Sequence, residues 1–107
     1  MKRFVLITLT TMLAAGTPAW AADAAAGKTV FDTKCKTCHA ADGAGNPGLA
    51  KAMGVTFKPL GGAEIQKMSD ADLKKVISTG SGKMKPVAGL TPAQTDDVVA
   101  FVRTLKG

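Results

Sequence analysis

Both cysteines and the single histidine of this 107-residue chain fall within five residues, Cys35-Lys36-Thr37-Cys38-His39. Two thiols separated by two residues can each add to one of two vinyl groups on adjacent pyrroles of a haem. A histidine directly after the second thiol then lies under the iron, so the spacing reads as a covalent haem-attachment site. In that reading Cys35 and Cys38 carry the cofactor, one haem c, and His39 Nε2 is the proximal iron ligand. Other uses of the same residues meet obstacles. A thioredoxin-like redox pair wants a βαβ setting, which the downstream pattern lacks. A zinc site wants four ligands, and the chain has no further Cys or His to complete one. A disulfide across so short a loop leaves His39 without a role. A large planar group fixed at residues 35–38 forces whatever follows to wrap around it.

The N-terminus bears on the compartment. Lys2 and Arg3 make a positive start, Phe4 to Ala15 is an apolar run, and Ala19-Trp20-Ala21 offers a small-x-small cleavage site. Together these read as a signal peptide over residues 1–21 followed by one domain over residues 22–107. The apolar run is shorter than the roughly 18 to 20 residues a bilayer-spanning helix needs, so the mature chain is expected to have no integral membrane segment. A periplasmic address is the expectation.

That cut leaves 86 residues with twelve basic and eight acidic groups, a net charge of about +4 before haem propionates subtract from it. The lysines stand singly, without basic runs or interleaved aromatics, which argues against nucleic-acid binding. The mature chain has neither Trp nor Tyr, and Phe31, Phe57 and Phe101 are its aromatics. A domain of this size buries only about 60 to 65% of its unfolded surface and wants a disulfide, metal or cofactor to stand. Haem would supply the missing apolar bulk.

Helical signals fall in three places. The first runs from Asp23 to Lys36, with Asp23 as N-cap and Val30, Phe31 and Cys35 at near-helical spacing. The second is Ser69 to Thr79, capped by Ser69, with Asp70 and Asp72 at its positive end, a Leu73-Val76-Ile77 stripe, and Gly80 as its stop. The third is Pro92 to Leu105, where Thr91 caps, Pro92 takes the first helical position and Gln94 completes a capping box. Val98, Phe101, Val102 and Leu105 make its buried face. No stretch alternates like a strand, and there is no internal repeat, so the expected fold is all-α. Residues 40–67 and 80–90, dense in Gly and Pro, read as loops around the cofactor.

With those segments placed, the chain resembles a class I cytochrome c of the small bacterial monohaem kind, over essentially all of Ala22 to Gly107. Gly27, Phe31 and Cys35 match the family's series of glycine, aromatic and first haem cysteine at four-residue steps on its first helix. Val98 and Phe101 match the aliphatic and aromatic residues with which its last helix crosses the first. The resemblance implies three main helices and loops around one haem. It also implies that a proline carbonyl after the motif accepts the proximal histidine's Nδ1 proton; Pro47, in Gly45-Asn46-Pro47-Gly48-Leu49, is the candidate. The alternative for Pro47 is a plain turn residue.

With one histidine, a bis-histidine iron cannot form within a monomer, and the sixth position falls to Met, Lys or nothing. Met53, Met68 and Met84 remain after the cut. Methionine is usually a core gap-filler. Met84, in Gly80-Ser81-Gly82-Lys83-Met84-Lys85-Pro86, resembles the family's ligand-bearing loop, while Met68 reads as packing and Met53 as pocket lining. His39 with Met84 would leave no position for substrate and would make the chain a one-electron carrier. No constellation of catalytic side chains marks it as an enzyme. Lys36, Lys51, Lys83 and Lys85 are candidates to ring the haem edge and meet acidic patches on redox partners of a monomeric carrier. The alternatives are a haem subunit of a larger oxidoreductase, or a ligand-binding haem sensor with an open sixth position.

Overall fold

Asp23, Ser69 and Thr91 each sit in extended backbone and turn a side-chain oxygen onto the first free N–H groups of a helix. Those donors have no intrahelical acceptor, so each cap fixes where its helix begins. The computed structural model describes residues 22–106; the proposed leader, residues 1–21, lies outside them. From the three caps run α1 (Ala24–Lys34), α5 (Asp70–Thr79) and α6 (Pro92–Thr104), and at Thr91 both arms of the capping box with Gln94 are formed. Three shorter helices complete the order among the described residues: α2 (Lys36–His39), α3 (Pro47–Met53) and α4 (Ala63–Gln66). Among the described residues the only β pairing is an isolated bridge between Ser81 and Met84. The fold is all-α, as the sequence predicts.

Two expectations need correction. The first helix does not run unbroken from Asp23 to Lys36: it stops at Lys34, Cys35 forms the joint, and a single turn, α2, carries the rest of the motif. Nor is the stretch from 40 to 67 simply loop, since α3 and α4 lie within it. Asn46 accepts from Leu49 N–H, Pro47 holds the first turn where its missing N–H costs nothing, and Gly54 closes α3 in the left-handed region at φ 64°.

α1 packs across α6, and a glycine sets how closely. A Cβ on Gly27 would collide with the backbone carbonyl of Asp97, so only hydrogen lets the two backbones meet there. One step along, Phe31 and Phe101 meet with ring centroids 5.0 Å apart and planes tilted by 54°, a favourable aromatic geometry. Phe31, Cys35 and Phe101 form one buried cluster, with Leu105 and Leu60 against it. Leu73, Ile77, Val98, Val99 and Val102 form the other, where α5 meets α6. Phe31 and Val98 are the most completely buried large side chains among the described residues. Each contributes roughly 1.5–3 kcal/mol through the water it sheds.

Arg103 fastens the far end of α6. Its guanidinium donates to the Gln66 carbonyl (2.9 Å), the Met68 carbonyl (2.6 Å) and Asp70 Oδ1 (2.7 Å), tying α6 to the turn between α4 and α5. Met68 packs against the larger core cluster, which bears out its reading as a packing residue.

Candidate haem site

The one-turn helix α2 gives the motif its shape. Cys38 and His39 N–H groups both donate to the Cys35 carbonyl, at 3.3 and 3.0 Å, so the two thiols and the imidazole project from a single turn. Both cysteines are free thiols. Burial, with a smaller push from Cys38, raises the Cys35 thiol to about 11, so it stays protonated at neutral pH. Burial also lowers His39 below its ordinary 6.5, holding the imidazole neutral, the form that binds metal.

His39 stands between two phenyl rings, with centroids 6.5 Å from Phe31 and 5.9 Å from Phe57. Its Nδ1 is buried and meets no hydrogen-bond partner. A buried polar nitrogen left this way costs about 1–3 kcal/mol, so the arrangement is costly for the polypeptide alone. The next residue is strained as well. Ala40, at φ 61° and ψ 165°, is the one non-glycine residue with positive φ among those described.

From Ala40 the chain doubles back onto the motif. Gly45 N–H donates to the His39 carbonyl and Asn46 N–H to the Cys38 carbonyl, both at 2.8 Å, while Asn46 Nδ2 reaches the Thr37 carbonyl at 3.3 Å. Asn46 is therefore both the cap of α3 and the tie between α3 and the motif. Pro47, exposed at the first position of α3, does not receive the His39 Nδ1 proton in this structure.

Met84 lies half-buried on a different loop, which backbone geometry holds closed. Ser81 N–H donates to the Met84 carbonyl (3.0 Å) and Met84 N–H to the Ser81 carbonyl (2.9 Å). Gly80, at φ 78°, lies against Met84 O and Pro86, where a side chain would clash. On its outer side Val87 N–H donates to Ile77 O, fixing the loop to the end of α5. Lys83 Nζ reaches 2.6 Å from the Met53 carbonyl, joining the loop to the end of α3. The structure thus gathers Cys35, Cys38 and His39 on one turn and sets Met84 apart, with α3 between the two parts. Sequence reading placed Lys83 on the edge that meets a partner, and gave no role in the site to Asn46, Ala40 or Phe57. The signal for Asn46 was present in the Asn-Pro pair; no local signal marks the others.

The apolar surface around these residues is incomplete. Leu49, Met53, Val55, Phe57 and Met84 are half-buried and belong to neither core cluster. Free thiols at the attachment spacing, an unpartnered imidazole nitrogen and a set of unpacked apolar side chains together fit a haem. Among the described residues no group of three or more His, Cys, Asp and Glu side chains is placed to hold a bare metal ion.

Charge is unevenly shared. Among the described residues four ion pairs join Lys28 to Asp32, Lys58 to Glu64, Lys74 to Asp96 and Arg103 to Asp70. Lys36, Lys51, Lys83 and Lys85 are exposed and enter none of these pairs. Among the described residues no helix is long and apolar enough to cross a membrane.

Comparison with known proteins agrees with this geometry. The cytochrome c family model matches residues 24–106. Cytochrome c6 of Picosynechococcus sp. is 34% identical over 110 residues, covering 95% of this chain and 92% of the relative. Cytochrome c-554(547) of Halothiobacillus neapolitanus is 37% identical over 91 residues, covering 80% of this chain and all of the relative. Among solved structures, the KustC0563 c-type cytochrome superposes with a TM-score of 0.65 at 32% identity, over 76% of this chain and 98% of that one. The chain belongs to the cytochrome c family: an all-α, class I electron-transfer protein, not an enzyme, carrying haem c on Cys35 and Cys38.

Proposed function

We propose that the chain is a periplasmic, monomeric one-electron carrier in which His39 and Met84 are the axial ligands. When bound, the haem supplies one-electron iron chemistry, and thioether ligation favours the ferrous state. The observation that carries the reading is the hydrogen bonding of the Met84 loop, to itself through Ser81, to α5 and to α3. A ligand held that firmly needs little rearrangement when the iron changes charge. Burial keeps His39 neutral and ready to coordinate through Nε2. Its orphaned Nδ1 calls for an acceptor, and we assign that role to the Pro47 carbonyl, on the segment that Gly45 ties to the His39 carbonyl. Such a bond would fix the ring and raise its basicity.

The chain's own residues then do three things. The half-buried apolar group from Leu49 to Phe57 excludes water, the two ligand segments stay in place, and the unpaired lysines 36, 51, 83 and 85 attract an acidic partner surface. The leader-like segment before Ala22 supports the periplasmic address. One measurement tests the ligand set. The oxidised protein is expected to show a near-infrared sulfur-to-iron charge-transfer band that Met84→Ala abolishes; a band that survives in that variant overturns the assignment.

A further inference from the structure

Lys83 is an exposed residue whose ammonium group reaches a backbone carbonyl on another element. Its Nζ donates to the Met53 carbonyl at 2.6 Å, across thirty residues of chain. Met53 ends α3, where the last carbonyls have lost their helical donors and carry the negative end of the helix dipole. The N–H groups of Gly54 and Val55 already serve Ala50 and Lys51, so the lysine takes a carbonyl that the backbone cap leaves over. Among the described hydrogen bonds, this one alone joins the Met84 loop to α3. The other fastenings of the loop run to itself and to α5. Because Asn46 ties the start of α3 to Cys38 and Thr37, the Lys83 contact closes a ring of connections from the His39 turn, along α3, to Met84.

We propose that Lys83 is a positioning residue: its bond to the Met53 carbonyl latches the Met84 loop onto α3 and keeps Met84 closed against competing ligands. The proposal rests on Met84 being the sixth ligand. Without the latch the loop remains folded on α5 and Met84 still binds, but it swings away more often, and each opening admits an outside ligand. The latch therefore governs access to the iron and leaves the identity of the ligand unchanged.

Imidazole is a suitable probe, being uncharged in its ligating form and insensitive to the loss of a lysine charge as such. In spectroscopic titrations of the ferric holo-protein, Lys83→Gln is expected to bind imidazole about three- to tenfold more tightly than the wild type, the scale of one solvent-exposed hydrogen bond. The near-infrared sulfur-to-iron band should persist in that variant. Lys83→Arg, which can still donate to the Met53 carbonyl, is expected to restore most of the protection. Lys85→Gln removes the same charge two residues further on without touching the latch, and should alter imidazole binding by less than about twofold. An unchanged affinity in Lys83→Gln, or an equal rise in Lys85→Gln, overturns the latch. Failure of the underlying reading looks different: Met84→Ala would then keep the band and bind imidazole no better than the wild type, and the latch would fall with it.

Discussion

Ala40 sits at φ 61° and ψ 165°, a conformation that costs any residue with a Cβ about 1–3 kcal/mol. It follows His39 directly, and the strained turn brings Gly45 and Asn46 back onto the His39 and Cys38 carbonyls. Ala40→Gly relieves the steric cost and loses part of the gain to the greater freedom of the unfolded chain. A net stabilisation of about 1 kcal/mol is expected, read as a higher guanidinium midpoint of the holo-protein with the same slope. His39 shows a second effect of burial. Its neutral form is favoured in the folded chain, so this contribution to stability is present above the ordinary 6.5 and is lost as pH falls through the depressed value. At this scale the sequence is most legible where chemistry dictates spacing. Cys35, Cys38 and His39 are read directly, because covalent attachment tolerates few arrangements. Lys83 could be recognised as a charge, but its partner lies thirty residues away and leaves no local mark.

Elements are legible in proportion to their caps and their length. α1, α5 and α6 begin at Asp23, Ser69 and Thr91 as expected, because a capping oxygen and a hydrophobic stripe point to the same start. α3 is harder to see. Seven residues give too little periodicity to stand out, and the glycines and prolines around them suit a loop equally well. The decisive clue is the order Asn46-Pro47 at one end and Gly54 at the other, a cap, a first-turn proline and a stop. Asn46→Ala removes the Leu49 cap together with the side-chain bond to Thr37. The expected loss is about 1–2 kcal/mol in chemical denaturation.

The whole molecule depends on its cofactor more than its helix count implies. α1 and α6 supply the tightest packing, but the stretch between them offers half-buried apolar side chains with no core of their own. Chemical removal of the haem is therefore expected to leave a chain with little far-UV helical signal and no cooperative melt; a compact apo-protein with a sharp transition would contradict this. The surface carries a prediction on the same scale. If the unpaired lysines steer association, the electron-transfer rate to an acidic partner should fall roughly tenfold as the screening length shortens from about 30 Å to about 8 Å. A rate indifferent to salt would mark those lysines as merely solvated. Fold class follows from the sequence because helix caps are local. The gap between the helices, and the bridge that α3 makes across it, depend on contacts distant in the chain.

Cys35, the first cysteine of the motif, is sealed by Phe31, Phe101 and Leu105, two of which lie in the last seven residues of the chain. Once that seal forms, the thiol is buried and held protonated with a value of about 11. The consequence concerns time. Because the chain without haem is expected to stay largely unfolded, the residues that cover Cys35 close over it only after haem is joined: attachment comes first and the seal follows. A contact as remote as that of α6 with residue 35 is thereby a product of the attachment and a lock on it afterwards.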